Sequence, residues 1–471
     1  MQINGTSVVE DKVAKIKLAT KDDFGVVKVG NGLDVKDGVV GVDTDAFADL
    51  LSYGIEWDTT VANPACTRIG NQLYHKSLPV QSRYKGCLVK NGKVNYYLDP
   101  NDWSKKANGT ASVLDGTDGD VMVRIPRFYG KSGSDGNKRW VRISLSQIDS
   151  TWVEIPEMFV SAYRITTYSD SGTTKVASVV NTSTGYRGGS NRSANDQYLD
   201  TDKFRTDLGK PRTSLSRAAM RTNAKNSGQE LLCYEFYKWI FYWAYVIEYA
   251  NFNSQLAFNS ELTSDGCHQG GLGSGLTTFD YNQWDNYNSV NPLTPCGYTN
   301  ELGNFSGVKS LVIPETKIND TTTISTKTLS VNRWRGFENP FGDIWTNLDG
   351  VNIMYNAADA LLEVSTTADS SKFSDDFGMD GDIHFEIPKD GYIKEFDLGE
   401  TGEIIPSDVG ASESTYKCDY YYCNASYLGN KTLLVGGSAN NGGMAGLGYF
   451  SSASGVGYAH SLVGFRSVIR A

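Results

Sequence analysis

The chain has 471 residues, 21% of them charged, and a formal net charge of -10 at pH 7. The sequence contains no basic patch. Nucleic acid and anionic membrane surfaces are therefore not expected to be partners. The 49 glycines and 27 tyrosines, together with abundant Asn, Ser and Thr, are typical of a protein rich in strands and loops. The composition therefore predicts a β- and loop-rich chain that is long enough to bury a large core, and the helices predicted below make its fold class α+β.

The first segment, residues 1–45, is predicted to be a run of short β-strands. Its stretch "FGVVKVGNGLDVKDGVVGVD" alternates Val-rich pieces with Asn31-Gly32 and Asp37-Gly38, dipeptides that favour tight hairpin turns. Strands this short cannot bury a core alone, so we predict an oligomerisation stalk in which copies from several chains wrap together. An ordinary hairpin packed on the rest of the chain is the alternative.

Residues 46–150 are predicted to form a β-rich intermediate region. The region begins with a short helical piece around "TDAFADLLSYG". Turn dipeptides such as Asn91-Gly92 and Asp118-Gly119 then separate β-rich pieces such as "VMVRIPRFYG". We therefore expect strands that are connected by long loops.

Residues 151–471 are predicted to contain two helices. Thr213 is predicted to cap a helix through "SLSRAAMRTNAKNSG" that ends at Gly228. A second helix is expected from about Gln229 to Ala250. Its run "LLCYEFYKWIFYWAYVIEYA" contains Glu and Lys residues and many tyrosines, whereas a spanning helix needs about 20 mainly aliphatic residues. We therefore interpret this run as a buried core helix and expect no membrane insertion.

Two features of the sequence bear on the compartment in which the protein is made. The seven cysteines are an odd count without a repeated short spacing, which favours reduced thiols over a disulfide framework. The N-terminal stretch "MQINGTSVVEDKVAKIKLATKDD" has no apolar segment followed by a cleavage site. We therefore expect synthesis in a cytoplasm without a signal peptide.

A search of the sequence for catalytic chemistry is mostly negative. The four histidines lie far apart, and no Walker, G-x-S-x-G or H-E-x-x-H motif occurs. The acidic stretches "DGTDGD" and "SDDFGMDGD" do not match the ligand spacing of a calcium loop. In "KCDYYYC", a strand would place the two cysteines on opposite faces. We therefore expect no catalytic residue, no metal site and no cofactor.

Three pieces near the end of the chain resemble the C-type-lectin fold in its formylglycine-generating-enzyme-like form. They are "WRGFENPFGDIWTNLDGV", "LLVGGSANNGG" and "VGFR", in that order. The resemblance implies that residues 151–471 form a C-type-lectin-like domain. Its structural landmarks would be Trp345, Gly436, Gly437, Ser438, Gly464, Phe465 and Arg466.

Within that fold, the chain is most similar to tail receptor-binding proteins of tailed bacteriophages of gut bacteria, including those diversified by retroelements. Pieces such as "LYHKSLPVQSRYKGC", "IPEMFVSAY" and "VVNTSTGYRGG" carry this likeness. The N-terminal "GVVKVGNGLDVKDGVVGVD" is similar to the trimeric shaft segments of tail fibres. The resemblance therefore implies a homotrimer in the virion tail, whose N-terminus contacts other tail proteins.

The resemblance also bears on catalysis, because enzymes of the formylglycine-generating type carry a copper-binding cysteine pair just after the G-G-S motif. Asn441 and Gly446 stand at the corresponding positions of this chain. Without the two thiolates, the chain lacks the soft ligands that would hold copper. The resemblance thus implies a binding protein that is not an enzyme, and a degenerate enzyme with a cryptic metal site is an alternative.

In the retroelement-diversified relatives, the variable region lies between the G-G-S and G-F-R landmarks, which corresponds here to residues 433–466. We expect Tyr449 to pack in the core and Phe450, Tyr458 and His460 to be large contact-making side chains. Arg466 is expected to be the buried donor that fixes the loops. A chain that shares the fold without being diversified is the alternative. The candidate ligand-binding face comprises Ala439, Asn440, Met444, Leu447, Gly448, Phe450, Ser452, Ala453, Tyr458, His460 and Leu462.

Together, these features predict a phage adhesin at the tail tip that recognises a bacterial surface receptor, either a glycan or a protein. A single face would bind weakly, and display of several copies multiplies a modest affinity. The alternative is a structural tail or baseplate protein that keeps the fold and binds only other virion proteins.

Overall fold

The structure is a computed structural model that describes residues 44–279, 292–314, 326–356, 361–379, 382–386, 390–424 and 429–471, together with short strands before residue 44. Those strands are β1 Gln2–Ile3, β2 Thr6–Ser7, β3 Val9–Glu10, β4 Val13–Ala14, β5 Leu33–Lys36 and β6 Val39–Val42. Strands β5 and β6 pair in antiparallel register with Lys36 opposite Val39. The turns expected at Asn31-Gly32 and Asp37-Gly38 lie outside the described residues, and assembly into a stalk stays a prediction.

The next strands form most of two antiparallel sheets. One sheet has the order β14-β12-β13-β7-β8, and the other begins with β10-β9-β11-β15. Strands β16 and β17 form a separate hairpin. The strands are β7 Ser52–Asp58, β8 Thr67–Gly70, β9 Lys85–Lys90, β10 Lys93–Tyr97, β11 Asp120–Ile125, β12 Phe128–Asp135, β13 Lys138–Ser144, β14 Val153–Ile155, β15 Met158–Ser161, β16 Thr166–Asp170 and β17 Thr173–Ala177.

A nine-stranded mixed sheet dominates the C-terminal half of the described chain. Its order is β24-β23-β22-β28-β29-β27-β25-β26, with β30 parallel to the start of β22. Strands β19, β20 and β21 form a smaller sheet. The strands are β18 Glu230–Leu231, β19 Gly307–Pro314, β20 Thr326–Trp334, β21 Phe337–Glu338, β22 Trp345–Asn356, β23 Leu361–Thr366, β24 Asp382–Glu386, β25 Gly391–Asp397, β26 Ile405–Val409, β27 Tyr420–Cys423, β28 Lys431–Val435, β29 Phe450–Ser452, β30 Val463–Gly464 and β31 Ser467–Arg470.

In residues 151–471, the described α- and π-helical segments form two runs, 217–226 and 234–249, as predicted, but both runs begin later than expected. Ser216, and not Thr213, caps α3, because its hydroxyl accepts from the Ala219 N–H at 3.3 Å. The second predicted helix begins at Tyr234 instead of Gln229, since the intervening strand β18 pairs with β31. The helical segments are α1 Thr44–Leu51, α2 Gln72–Ser77, α3 Arg217–Asn226, α4 Tyr234–Tyr237, a π-helical turn Lys238–Trp243 and α5 Ala244–Tyr249.

Residues 234–249 form one continuous helical rod, the core helix, in which nearly every side chain is buried. Its rings meet three sheets: Trp243 stacks on Trp57 of β7, with ring centroids 5.8 Å apart. The ring centroids of Phe241 and Phe337 of β21 are 4.5 Å apart. Phe396 of β25, in the nine-stranded sheet, contacts the third side of the core helix. This packing confirms the predicted core helix.

Charged residues on the core helix are neutralised inside the protein. Lys238 forms ion pairs with Glu235 at 2.7 Å and with Glu403 at 2.5 Å. Glu248 pairs with Arg335 at 2.8 Å. Buried charges are tolerated only when paired in this way. Among the helices of the described chain, none is long and apolar enough to cross a membrane.

The predicted boundary at residue 150 is wrong, because it divides one sheet and one core. Strand β11, from the supposed intermediate region, pairs with β15, which in turn pairs with the C-terminal strand β31. A single hydrophobic cluster extends from Tyr53 to Val468. A domain is defined by a core of its own, so residues 46–150 and 151–471 belong to one folded unit.

Candidate functional site

A pocket of about 380 Å³ opens on the nine-stranded sheet, between the loops that follow β28 and β29. Trp345 from the start of β22 lies at its base. Two loops contribute most of the other lining residues: residues 436–449 after β28 and residues 453–462 after β29. Strands β27, β28 and β29 contribute the rest. The lining residues are Trp345, Tyr420, Tyr422, Leu434, Ser438, Asn440, Asn441, Met444, Tyr449, Ser451, Ser454, Tyr458 and Leu462.

The alternation of side chains along strands β27 and β29 decides which of their residues face this pocket. In β27, Tyr420 and Tyr422 line the pocket while Tyr421 is buried in the main core. In β29, Ser451 lines the pocket and Phe450 points to the opposite face. Successive residues of a strand point to opposite sides, so one sheet face supplies the pocket and the other supplies the core.

Aromatic rings form much of the pocket wall. Trp345 and Tyr449 contact each other with ring centroids 4.5 Å apart. Tyr420 lies edge-on to Tyr449 at 6.0 Å. Tyr422 at the rim is 47% exposed. Burial raises the pKa of Tyr449 and of Tyr420, so both phenols stay protonated and neutral at physiological pH.

The pocket carries polar groups but no charged side chain. Asn441 accepts from the Ser438 backbone N–H at 2.7 Å and from its hydroxyl at 2.9 Å. These two bonds fix the carbonyl end of the amide, and its NH₂ group has no partner in the described chain. The hydroxyls of Ser451 and Ser454 likewise form no hydrogen bond with described residues. The pocket therefore presents unused neutral donors and acceptors.

Arg466, immediately before β31, is the buried donor that the resemblance predicts. Its guanidinium donates to the backbone carbonyls of Ser161, Ala162, Glu338 and Asn339 at 2.5 to 3.3 Å. Burial lowers its pKa, yet the cation is held by four carbonyl dipoles. These contacts tie the end of the chain to β15 and to β21. These bonds hold the backbone beneath the pocket through main-chain carbonyls, without using the accessible side chains of the loops.

The other landmarks also lie in the frame. Val463 and Phe465 are fully buried and anchor the closing strand in the core. Gly436 and Gly437 have φ angles of 93° and 77°, which other residues rarely adopt. A Cβ at Gly464 would lie 2.4 Å from the Ile344 Cδ1 atom. These positions serve the backbone path, and Ser438 orients Asn441.

Six of the candidate positions are at least partly accessible. Asn440, Met444, Tyr458 and Leu462 line the pocket. His460 stacks on Tyr458, with ring centroids 5.6 Å apart and planes 3° apart, and its ring accepts from the Leu462 N–H. The sixth, Ala453, is half-buried next to the lining residue Ser454.

The other five candidates are buried, which corrects their assignment to the ligand-binding face. Phe450 and Ser452 occupy the core side of β29, where Phe450 packs on Tyr421 and Ser452 bonds to its hydroxyl at 2.9 Å. Leu447 and Ala439 are fully buried. Residue spacing in a loop does not show which side chains point inward, and this limited the sequence prediction.

Gly448, the fifth buried candidate, is part of a polar contact beneath the loop. Its N–H donates to the carboxyl of Asp419 at 2.7 Å. Burial raises the pKa of Asp419 well above its ordinary value. A Cβ at Gly448 would lie 2.7 Å from the ring of Tyr242, and one at Gly446 would lie 1.8 Å from an Asp419 oxygen. Neither glycine can be exchanged freely.

Sequence reasoning missed several pocket residues, namely Tyr420, Tyr422, Asn441, Ser451 and Ser454. The tyrosine run "DYYYC" contained a usable signal, because a strand must place its first and third tyrosine on the same face. Asn441 was considered only as a substitute for a copper ligand. It is instead an amide at the pocket wall.

No group of three or more His, Cys, Asp or Glu side chains is arranged to hold a metal ion in the part of the chain that the structure describes. The carboxylates of residues 115–120 bond to different partners. Asp118 accepts from the Tyr96 hydroxyl, whereas Asp120 accepts from the Ser178 N–H and from the amide of Gln229. All seven cysteines are free, as predicted.

Fold and geometry thus define a β-dominated α+β protein with a neutral, aromatic pocket between two C-terminal loops. The chain matches no protein-family model and no curated protein sequence. Inference about its function therefore rests on the pocket and on the motifs quoted above.

Proposed function

We propose that this protein is a phage tail-tip adhesin that binds a bacterial surface receptor through the pocket between residues 436 and 462. The observation that carries the proposal is the position of the pocket. Most of its lining residues, from Ser438 to Leu462, belong to the segment that the G-G-S and G-F-R landmarks enclose. The resemblance to C-type-lectin-like receptor-binding proteins implies a ligand-binding face in this segment. We propose the same lectin-like fold for the C-terminal part of the chain.

The mechanical arrangement suits a recognition surface. The exposed side chains of a ligand-binding loop are available for contacts when the fold does not depend on them. Here Arg466 and the buried strand ends hold the backbone, while Asn440, Tyr422 and Tyr458 lie at or near the surface. The proposal includes retroelement diversification only at the accessible candidate positions, because the buried ones are constrained by the core.

The proposal is a binding role without catalysis. The pocket contains hydroxyls, amides and phenols, but no nucleophile beside a base and no charged group to activate one. We further propose that residues 1–45 assemble three copies in the virion tail and contact other tail proteins. Three faces on one trimer would raise a modest affinity through effective concentration.

Labelling of cells tests this function directly. Fluorescent protein would be incubated with a mixed suspension of gut bacteria, and labelled cells would be counted by flow cytometry. The test variant combines Tyr422→Ala with Tyr458→Ala, and the matched control is Tyr97→Ala on the edge strand β10, where the tyrosine is 37% exposed.

We expect the natural protein and the Tyr97→Ala control to label the same subset of cells. The double variant should label few or none while keeping the same unfolding temperature. Equal labelling by all three proteins would place binding elsewhere. If the natural protein labels no cells above background, the adhesin proposal fails and a structural role in the tail is favoured.

A further inference from the structure

The chemistry of the pocket lining narrows the class of ligand. We propose that the pocket binds an uncharged sugar unit of a glycan, without a metal ion. This inference rests on the proposed function, since it concerns the same site. It depends on three properties of the lining: its neutrality, its aromatic surfaces and its unpaired polar groups.

Neutrality is the first property. None of the lining residues carries a charge, and the neighbouring phenols of Tyr420 and Tyr449 have raised pKa values because of burial. A carboxylate or phosphate on the ligand would lose water without gaining a Lys or Arg partner, which is costly. The lining likewise contains no carboxylate to pair with an ammonium group. The lining therefore disfavours acidic sugars and charged peptides.

The aromatic surfaces are the second property. A pyranose ring has faces made of C–H groups, and aromatic side chains offer flat apolar area that covers such faces. Tyr422 supplies an exposed ring at the rim, while Trp345 and Tyr449 supply a contiguous aromatic base. A purely apolar ligand would leave the polar part of the lining unsatisfied, so the aromatic groups alone do not define the ligand.

The unpaired polar groups are the third property. The NH₂ group of Asn441 and the hydroxyls of Ser451 and Ser454 have no partners in the described chain. Asn441 is already oriented by two bonds from Ser438, so little ordering is needed when a ligand binds. Sugar hydroxyls both donate and accept, and they therefore match this mixed set of neutral groups.

Size agrees with a small ligand. The volume of about 380 Å³ lies near the lower end of the range of small-molecule pockets, roughly 300 to 1,000 Å³. A protein receptor would normally cover about 800 Å² on each partner, far more than this concavity offers. The observations thus favour a terminal or internal sugar unit over a folded protein epitope.

Binding to an array of purified glycans tests the inference. The array would contain neutral glycans built from glucose, galactose, mannose and N-acetylglucosamine, and acidic glycans that contain glucuronic or sialic acid. The natural protein would be compared with Tyr422→Ala, Tyr422→Phe and the control Tyr97→Ala. Each would be measured with and without a chelator of divalent cations.

We expect binding to one or more neutral glycans, unchanged by the chelator. Tyr422→Ala should weaken this binding roughly tenfold, which corresponds to the loss of one aromatic contact. Tyr422→Phe keeps the ring and should bind almost normally. If the hydroxyl of Tyr422, and not its ring, were what matters, both Tyr422→Ala and Tyr422→Phe would bind weakly. Tyr97→Ala should bind like the natural protein.

Three results would overturn the inference: binding confined to acidic glycans, binding abolished by the chelator, or no binding to any glycan of the array. These failures are distinguishable from failure of the proposed function. Cells labelled through Tyr422 and Tyr458, but with no glycan bound, would leave the adhesin standing and replace the sugar by another ligand. Glycan binding without any labelled cells would leave the sugar site standing and contradict the adhesin role.

Discussion

Replacement of Gly448 by alanine tests whether the loop before β29 is a fixed part of the frame or an exchangeable surface. The backbone of Gly448 does not lie in the left-handed region, so alanine introduces no strain of its own there. The loss of stability arises from steric overlap, because the new Cβ atom would lie 2.7 Å from a Tyr242 ring carbon and 2.8 Å from an Asp419 carboxyl oxygen. Both neighbours are buried.

The magnitude follows from overpacking and from a weakened hydrogen bond. Extra methyl groups in a packed core cost about 1–3 kcal/mol. Moving the loop outward would also lengthen the bond from the Gly448 N–H to Asp419, which is 2.7 Å long. Leaving a buried acceptor unsatisfied costs about 1–3 kcal/mol. Since both effects relax together, we expect a loss of about 3 kcal/mol.

The assay is urea unfolding followed by tryptophan fluorescence, and Gly457→Ala is the matched control. Gly457 lies in the next loop, and a Cβ atom there would meet nothing within 4 Å. The control should stay within about 0.5 kcal/mol of the natural protein. If Gly448→Ala unfolds at the same urea concentration as the control, the loop is not held as the structure indicates. The same result would restore Gly448 to the exchangeable positions.

Two further predictions concern buried groups. Burial raises the pKa of Asp120 to about 6 from 3.8, so the folded state binds its proton more tightly and loses stability as the pH rises between those values. We expect the free energy of unfolding of Asp120→Asn to gain about 3 kcal/mol over that of the natural protein as the pH rises from about 3 to about 7, from about 1.36 kcal/mol per pKa unit. A difference that is constant with pH would contradict this. The amide of Gln229, whose Oε1 atom is buried without a partner, can turn to accept the new NH₂ group. Arg466→Met should lower the free energy of unfolding, as measured by denaturation, by at least about 1–3 kcal/mol, because buried carbonyls lose a donor and an unsatisfied buried acceptor costs that much. A variant as stable as the natural protein would show that Arg466 does not fix the loops.

The parts of the fold that could be predicted are those encoded by strong local patterns. Residues 234–249 are apolar and aromatic with few charges, and such a run must be buried wherever it forms a helix. Arg466 and Phe465 were identified by the resemblance and by their place before an apolar strand. Helix α2 was missed because its six residues, Gln72–Ser77, are too short to show a helical period.

The rest depends on contacts between distant parts of the sequence. Strand β15 pairs with β31 although about 300 residues separate them, and no local pattern shows this pairing. The domain boundary at residue 150 was wrong for that reason. In the pocket, the register of the three-residue strand β29 decides that Ser451 faces outward and Phe450 inward. A strand this short has too few residues to reveal its own alternation.

The central claim is that the pocket itself contacts a bacterial surface ligand, and site-specific photo-crosslinking tests it most directly. p-Benzoylphenylalanine would replace Tyr422 at the pocket rim in one protein and Tyr97 on β10 in the other. After irradiation with bacteria that the natural protein labels, we predict a carbohydrate-containing adduct from position 422 and none from position 97. Adducts of equal yield from both positions, or an adduct from position 97 alone, would contradict the account.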